Sequence, residues 1–263
     1  MKQLRRLEVD SSGQVAPATS VVLVFRAAAL VPSPPLLVPE LMGAGAAETA
    51  DLRTAAVSAT THLASMVDRW IVLGVDRTSS TYGEATVGTL RGFGVDVVVS
   101  LSGGTAQTAA DPDLPLAVLI AGWLRGVAAP DDAVEVRTIA ADASPGWCAE
   151  FGEELRREID ASAQSWGVLV LADGANTLTP KAPGSFDERA EELQRRIDDA
   201  LASADVDALA RLDPDLCASL GVGGRAAWQV LAALAGADAT TTSELYRGAP
   251  FGVGYFVGTW ARD

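Results

Sequence analysis

Histidine is almost missing from this chain: His62 is the only one in 263 residues. A Ser-His-Asp triad would have to be built on that one imidazole, and no G-x-S-x-G turn exists to present a serine to it. His62 falls in the middle of a helical stretch rather than at a strand end, so a structural or solvent-facing role is expected for it. Cysteine is nearly as scarce. Cys148 and Cys217 are too few for a disulfide framework, which fits a reduced, cytosolic protein. One histidine and two scattered cysteines also cannot assemble a soft-ligand site for zinc or iron.

Positive charge is in deficit too, with 20 basic against 34 acidic residues and a net charge of −14. A nucleic acid would meet a repulsive field, so DNA and RNA are excluded as expected partners. Most of the acidity lies in stretches such as "DERAEELQRRIDDALASADVDALARLD", where it reads as a solvated helix surface. Long uninterrupted apolar runs are absent. Lys2, Arg5 and Arg6 precede "VVLVFRAAAL", but a polar spacer separates them and Arg26 interrupts the run, so neither a signal peptide nor a membrane span is expected. Residues 1–19 read as a flexible tail and 20–263 as a single domain.

What is present is alternation. Apolar, β-branched runs at 20–30, 68–76, 94–101, 133–140 and 165–175 are separated by helical patterns at 46–67, 114–127 and 143–163. Long helices are expected from about 185 to 236, and two strand-like runs, "ATTTSELYRG" and "FGVGYFVGTW", close the chain. Ser144 followed by Pro145 is a helix start signal. The pattern predicts a three-layer α/β domain with a central mixed sheet flanked by helices.

Ligands of open α/β sheets gather outside the carboxyl ends of the strands. That rule selects three polar loops: "VPSPPLLVPE" with Ser33, "GVDRTSSTYGE" with Asp76, and "ADGANTLTPKAPG" with Asp173, Asn176 and Lys181. Four prolines between positions 32 and 39 make the first of them stiff and extended. A lone aspartate in such a turn ordinarily caps the next element, and Trp123, Trp147, Trp166 and Trp228 are ordinarily core. "GVGGRA", residues 221–226, has the form G-x-G-x-x-A and opens a helix, which would suit a nucleotide pyrophosphate. The residues before it read as helix, whereas a dinucleotide fingerprint follows a strand; the alternative is a glycine link between packed helices.

Taken together, "AALVPSPPLLVPE", "ADGANTLTPKAPGSFDERA", "GGRAAWQVLAAL" and "LYRGAPFGVGYFVGTW" resemble the LigB-type class III extradiol ring-cleavage dioxygenases, and more closely their actinobacterial relatives, over about residues 22–260. A more distant resemblance is to the Memo proteins. The resemblance implies a single α/β domain and a strand-end pocket binding Fe(II) through two histidines and a glutamate, with a further histidine as acid/base. The H-x-P position of the family's first loop is Ser33 here. The second histidine position falls in "VDRTSS" beside Asp76, the later one falls on Asn176, and Glu244 stands where the carboxylate ligand is expected. Serine, aspartate and asparagine are much weaker ligands for Fe(II) than imidazole, so ring cleavage by the family route is not expected and no cofactor is assigned.

The leading expectation is a LigB-fold protein without its iron site, a pseudoenzyme that binds a small molecule or acts as a scaffold through a pocket of Ser33, Asp76, Asp173, Asn176 and Lys181. The rival is an enzyme in which Asp76, Asp173 and Glu244 hold a divalent ion, or in which Lys181 stabilises charge without a metal. A nucleotide-binding protein using "GVGGRA" is the third reading. A homo-oligomer is left open.

Overall fold

The computed structural model describes residues 24–104, 109–238 and 240–262. The tail expected at 1–19, and the first four residues of the strand expected from 20, lie outside them. In chain order the elements are β1 (Phe25–Val31), α1 (Pro39–Met42), α2 (Ala50–Met66), β2 (Arg69–Asp76), β3 (Ser80–Tyr82), β4 (Val87–Thr89), β5 (Val98–Ser100) and α3 (Leu116–Ala128). They continue with β6 (Glu135–Ala140), α4 (Pro145–Asp160), β7 (Trp166–Leu171), α5 (Arg189–Ser203), α6 (Val206–Ala210), α7 (Pro214–Ser219), α8 (Arg225–Ala235), β8 (Thr241–Gly248) and β9 (Tyr255–Ala261).

Seven strands form one mixed sheet in the order β3-β6-β2-β7-β1-β9-β8. β6, β2, β7 and β1 run parallel, and β3, β9 and β8 are each antiparallel to their neighbours. Of these, β1, β2 and β7 are buried on both faces over most of their length, which is why they read as continuous apolar runs, whereas β6 alternates, with Glu135 and Arg137 half-buried. In β7, Val168 and Val170 face a layer containing α4, α5 and α8, while Leu169 and Leu171 face a layer containing α2 and α3. All four are 0% exposed. Each such side chain contributes about 1.5–3 kcal/mol by leaving water.

Crossover helices α2 and α3 lie on one face, and the chain returns through α4 on the other to insert β7 between β2 and β1. Connections leaving the adjacent strands β1 and β7 therefore go to opposite faces. A crevice opens where they part, at the carboxyl ends of the strands.

Several sequence expectations need correction. The run at 94–101 gives only β5, which pairs with β4 in a separate two-stranded sheet packed on α3. The proline segment is not extended throughout. Pro35–Leu37 forms a 3₁₀ turn and Pro39–Met42 a turn of α-helix, each opening on a proline, while Pro34 and Val38 ahead of them are extended. Proline at the first helical position sacrifices no hydrogen bond, so the same residues that forbid a long helix here permit two short turns. Ser144 caps α4 as expected, accepting from Trp147 N–H at 3.2 Å. Trp123 and Trp228 are core, whereas Trp147 stacks on Phe151 at the surface, ring centroids 5.0 Å apart. Among the described residues no helix is long and apolar enough to cross a membrane.

Helices α4 and α8 approach closely at Gly152, where a Cβ would lie 2.5 Å from the Val230 carbonyl oxygen and 2.7 Å from Ala233 Cβ. Gly146, on the same helix, has open space around it. Gly152→Leu is expected to destabilise the fold by about 1–3 kcal/mol and Gly146→Ala to leave it unchanged or stabilise it by up to about 1 kcal/mol, both read from urea unfolding midpoints.

Candidate functional site

Strand register decides which side chains meet in the crevice. Val31 of β1 pairs with Leu171 of β7, and Leu73 of β2 pairs with Val170 of β7. Counting two residues on from the first pair and three from the second brings Ser33, Asp173 and Asp76 level across three neighbouring strand ends. These three residues line one cavity of about 310 Å³, together with Arg77 and the apolar side chains of Val75, Leu116 and Leu171.

Asp173 sits at the centre of this row. The Ser33 N–H donates to its Oδ1 at 2.9 Å and the Ser33 hydroxyl donates to its Oδ2 at 3.3 Å. Burial nevertheless pushes Asp173 up to about 6, because two neutral donors offset only part of the lost hydration of the carboxylate. The backbone around it is held on every side. Ala172 N–H donates to Val31 O, Gly174 N–H to Gly254 O, Gly224 N–H to Asp173 O, and Gly254 N–H to Ala175 O, at 2.6–3.0 Å. Ala175 N–H also donates to Gln194 Oε1 at 2.8 Å, and Gln194 Nε2 donates to the buried Asp198 at 2.7 Å. Burial pushes Asp198 up to about 6 as well, with the Gln194 hydrogen bond and the Arg247 charge pulling it back. Tyr255, at the start of β9, is pushed upward by burial first, then by the negative charge of Asp173 and by competition with the neighbouring Tyr246 phenol, so it stays protonated at neutral pH.

The remaining expected site residues lie elsewhere. Asn176 is outside the cavity lining: its amide occupies the space beside Gly221 and Gly184, where any Cβ would collide with it. Gly221 has φ +64°, so glycine is required there twice over. Lys181 is exposed on the turn that follows and does not line the cavity. Glu244 lies on the edge strand β8, ion-paired with Arg247 at 2.8 Å. The divalent-ion site expected from Asp76, Asp173 and Glu244 is therefore corrected: two of the three share the cavity and the third is two strands beyond Asp173's neighbour β1. "GVGGRA" follows the short helix α7, not a strand, and Gly224 serves the close contact of α8 with Ala172 and Asp173. The nucleotide fingerprint lacks its strand–turn–helix setting.

His62 is exposed on α2, and among the described residues no three His, Cys, Asp or Glu side chains are grouped so as to hold a metal ion. The donors at the strand ends are a serine already hydrogen-bonded and two carboxylates. They do not fit the two-histidine, one-carboxylate demand of Fe(II).

Arg77 and the apolar wall of the cavity carry no sequence motif and were missed; only their place next to Asp76 and on the first turn of α3 could have signalled them. A larger cleft of about 480 Å³ lies between α3 and the β4–β5 pair. Its charged group, Arg125, is already committed to the carbonyls of Ser100, Pro130 and Asp132 at 2.6–3.2 Å, and the cleft is remote from the strand ends. The smaller cavity is the better candidate because it joins titratable groups to an apolar wall.

No model of a known protein family matches the chain, and no curated protein matches it. Among solved structures it is similar to the crystal structure of uncharacterized protein JW3007 from Escherichia coli K12, at 12% identity and a TM-score of 0.47, over 90% of this chain and 100% of that one. A likeness that distant does not bear on function.

Asp173 yields a pH prediction. An acid whose value is raised by folding loses its proton first in the unfolded chain, so stability falls as pH rises from about 4 to about 6 and the loss persists above that. Asp173→Asn cannot ionise. The stability difference between variant and wild type is expected to be flat below about pH 4, to move in favour of the variant up to about pH 6, and to reach roughly 3 kcal/mol, measured by chemical unfolding at stepped pH.

Proposed function

We propose that this chain is a LigB-fold protein that has lost the family's iron site and binds a small molecule in the cavity at its strand ends, without oxygen chemistry. The observation that carries the reading is the convergence of Ser33, Asp173 and Asp76, from three neighbouring strand ends, on one partly apolar cavity of about 310 Å³. Concave sites of this size with a few convergent polar groups are the ordinary form of a ligand pocket. On this reading Ser33 occupies the place of a metal-binding histidine and has turned its donors to Asp173. The two cysteines, Cys148 and Cys217, are buried free thiols, which suits a reducing cytoplasmic setting.

A second reading, acid–base chemistry without a metal, draws on Asp173 alone. A carboxyl that titrates near 6 is matched to proton transfer close to neutral pH. Turnover of a cavity ligand with a pH limb near 6 that Asp173→Asn abolishes would select it.

Two measurements test the main reading. Protein purified without chelator is expected to carry iron far below one equivalent, and stoichiometric Fe(II) would overturn the loss of the site. In a small-molecule thermal-shift screen, ligands are expected to raise the midpoint of the wild type but not of Gly223→Leu. A Cβ at Gly223 meets nothing nearer than 3.8 Å, so a side chain can leave the backbone there toward the cavity that Gly223 lines. A screen in which the two proteins respond alike to every compound overturns the assignment of the cavity.

A further inference from the structure

The polar half of the cavity carries charge that the protein leaves unbalanced. Asp173 takes both of its side-chain hydrogen bonds from neutral donors of Ser33, and nothing cationic contributes to its titration. Asp76 stands level with it on the neighbouring strand. Neither carboxylate, nor Arg77, joins any ion pair among the described residues. Arg77 lies exposed at the rim, where it is hydrated. Tyr255 faces Asp173 from β9 as a neutral phenol. Asp173 and Asp76 are both half-buried, and a partly desolvated carboxylate without a counter-charge is stabilised when something cationic completes its surroundings.

Resting on the small-molecule reading of this cavity, we propose that its ligand is a small organic ammonium ion, whose N–H groups donate to Asp173 and Asp76 and whose carbon body lies on Val75, Leu116 and Leu171. An anion would meet two carboxylates with only the exposed Arg77 to offset them. A neutral alcohol could donate one further hydrogen bond and would leave the charge uncompensated. Any donor to an ionised carboxylate makes a charge-assisted hydrogen bond, but only the ammonium also supplies the opposite charge, so it gains most from this arrangement. Its binding would also pull the titration of Asp173 back down, because an adjacent positive charge favours the ionised form.

The test uses three probes that share one ring and differ in the head group: cyclohexylammonium, cyclohexanol and cyclohexanecarboxylate, titrated calorimetrically into the full chain at pH 8, 6 and 5. Cyclohexylammonium is expected to bind about tenfold or more tightly than cyclohexanol at pH 8, and to weaken by up to about tenfold per pH unit well below pH 6. At pH 6 its binding should release protons, seen as a dependence of the heat on the buffer's ionisation enthalpy, and at pH 8 it should not. Asp173→Asn and Asp76→Asn are each expected to weaken the ammonium about tenfold and to leave cyclohexanol unchanged. This separates the site from attraction to a chain of net charge −14, which neither substitution removes. Cyclohexanol or the carboxylate binding more tightly than the ammonium, or ammonium affinity unchanged in Asp173→Asn, overturns the inference and leaves the pocket standing. Binding of none of the three overturns both.

Discussion

The carboxylate of Asp173 is the constraint around which the strand ends are organised. It stands half-buried just past the end of the central strand, flanked by β1 and β2, where the parallel ladders have run out. Ser33 supplies two donors to it from a loop 140 residues away in sequence. Those donors are in place because prolines on both sides of Ser33 restrict the backbone, so little conformational entropy is lost in holding the serine at the right height. The stiffness of the proline loop and the burial of the carboxylate are two halves of one arrangement. A flexible loop would let water compete for Asp173, and a serine without the acid would have no fixed partner.

The segment following β7 shows how much structure is devoted to that position. Residues 172–175 are tied to β1, to the approach of β9, to the start of α8 and to Gln194 of α5. Several of the partners are glycines because backbones must come within contact of one another there, as Gly224 does with Ala172 and Asp173. The consequence is a preorganised rim. The groups that face the cavity have little room to rearrange, so discrimination among ligands must come from their charge and hydrogen-bonding capacity rather than from closure of the site.

Much of the fold is legible in the sequence, and for a physical reason. Strands buried on both faces, such as β7, are uniformly apolar, and helices with one buried face carry a 3.6-residue period; both signals are local. The short strands β3 and β4 leave little trace because three residues cannot show a period, and β5 looked like a member of the main sheet because pairing partners are not encoded in a run of valines. The site divides along the same line. Ser33, Asp76 and Asp173 could be named because the strand-end rule depends only on where each apolar run stops. Asn176, Lys181 and Glu244 could not be placed that way. Five residues beyond the end of β7 the chain has already turned, and the amide of Asn176 points into a glycine pair whose closeness depends on how α7 and α8 pack. Glu244 lies in the last hairpin, and its distance from the cavity is set by sheet order, which no local pattern records.

On the proposed descent from an iron-binding ancestor, the loss of metal is not a single-residue event that reversal would undo. A histidine at position 33 would remove the hydroxyl donor from Asp173, leaving a buried carboxylate with the backbone N–H alone, and burial would then press its titration higher still. A histidine at position 176 would have to displace the packing of Asn176 against Gly184 and Gly221, and with it the link from α7 into α8. The two substitutions are coupled, moreover, through the same segment that carries Asp173. The present residues satisfy one another as a set, with a serine donating where a metal would have accepted electrons and an amide filling space where an imidazole would have reached inward. On that reading the mutual satisfaction keeps the cavity intact without a metal, and the proposed ammonium would supply the positive charge that Asp173 and Asp76 lack.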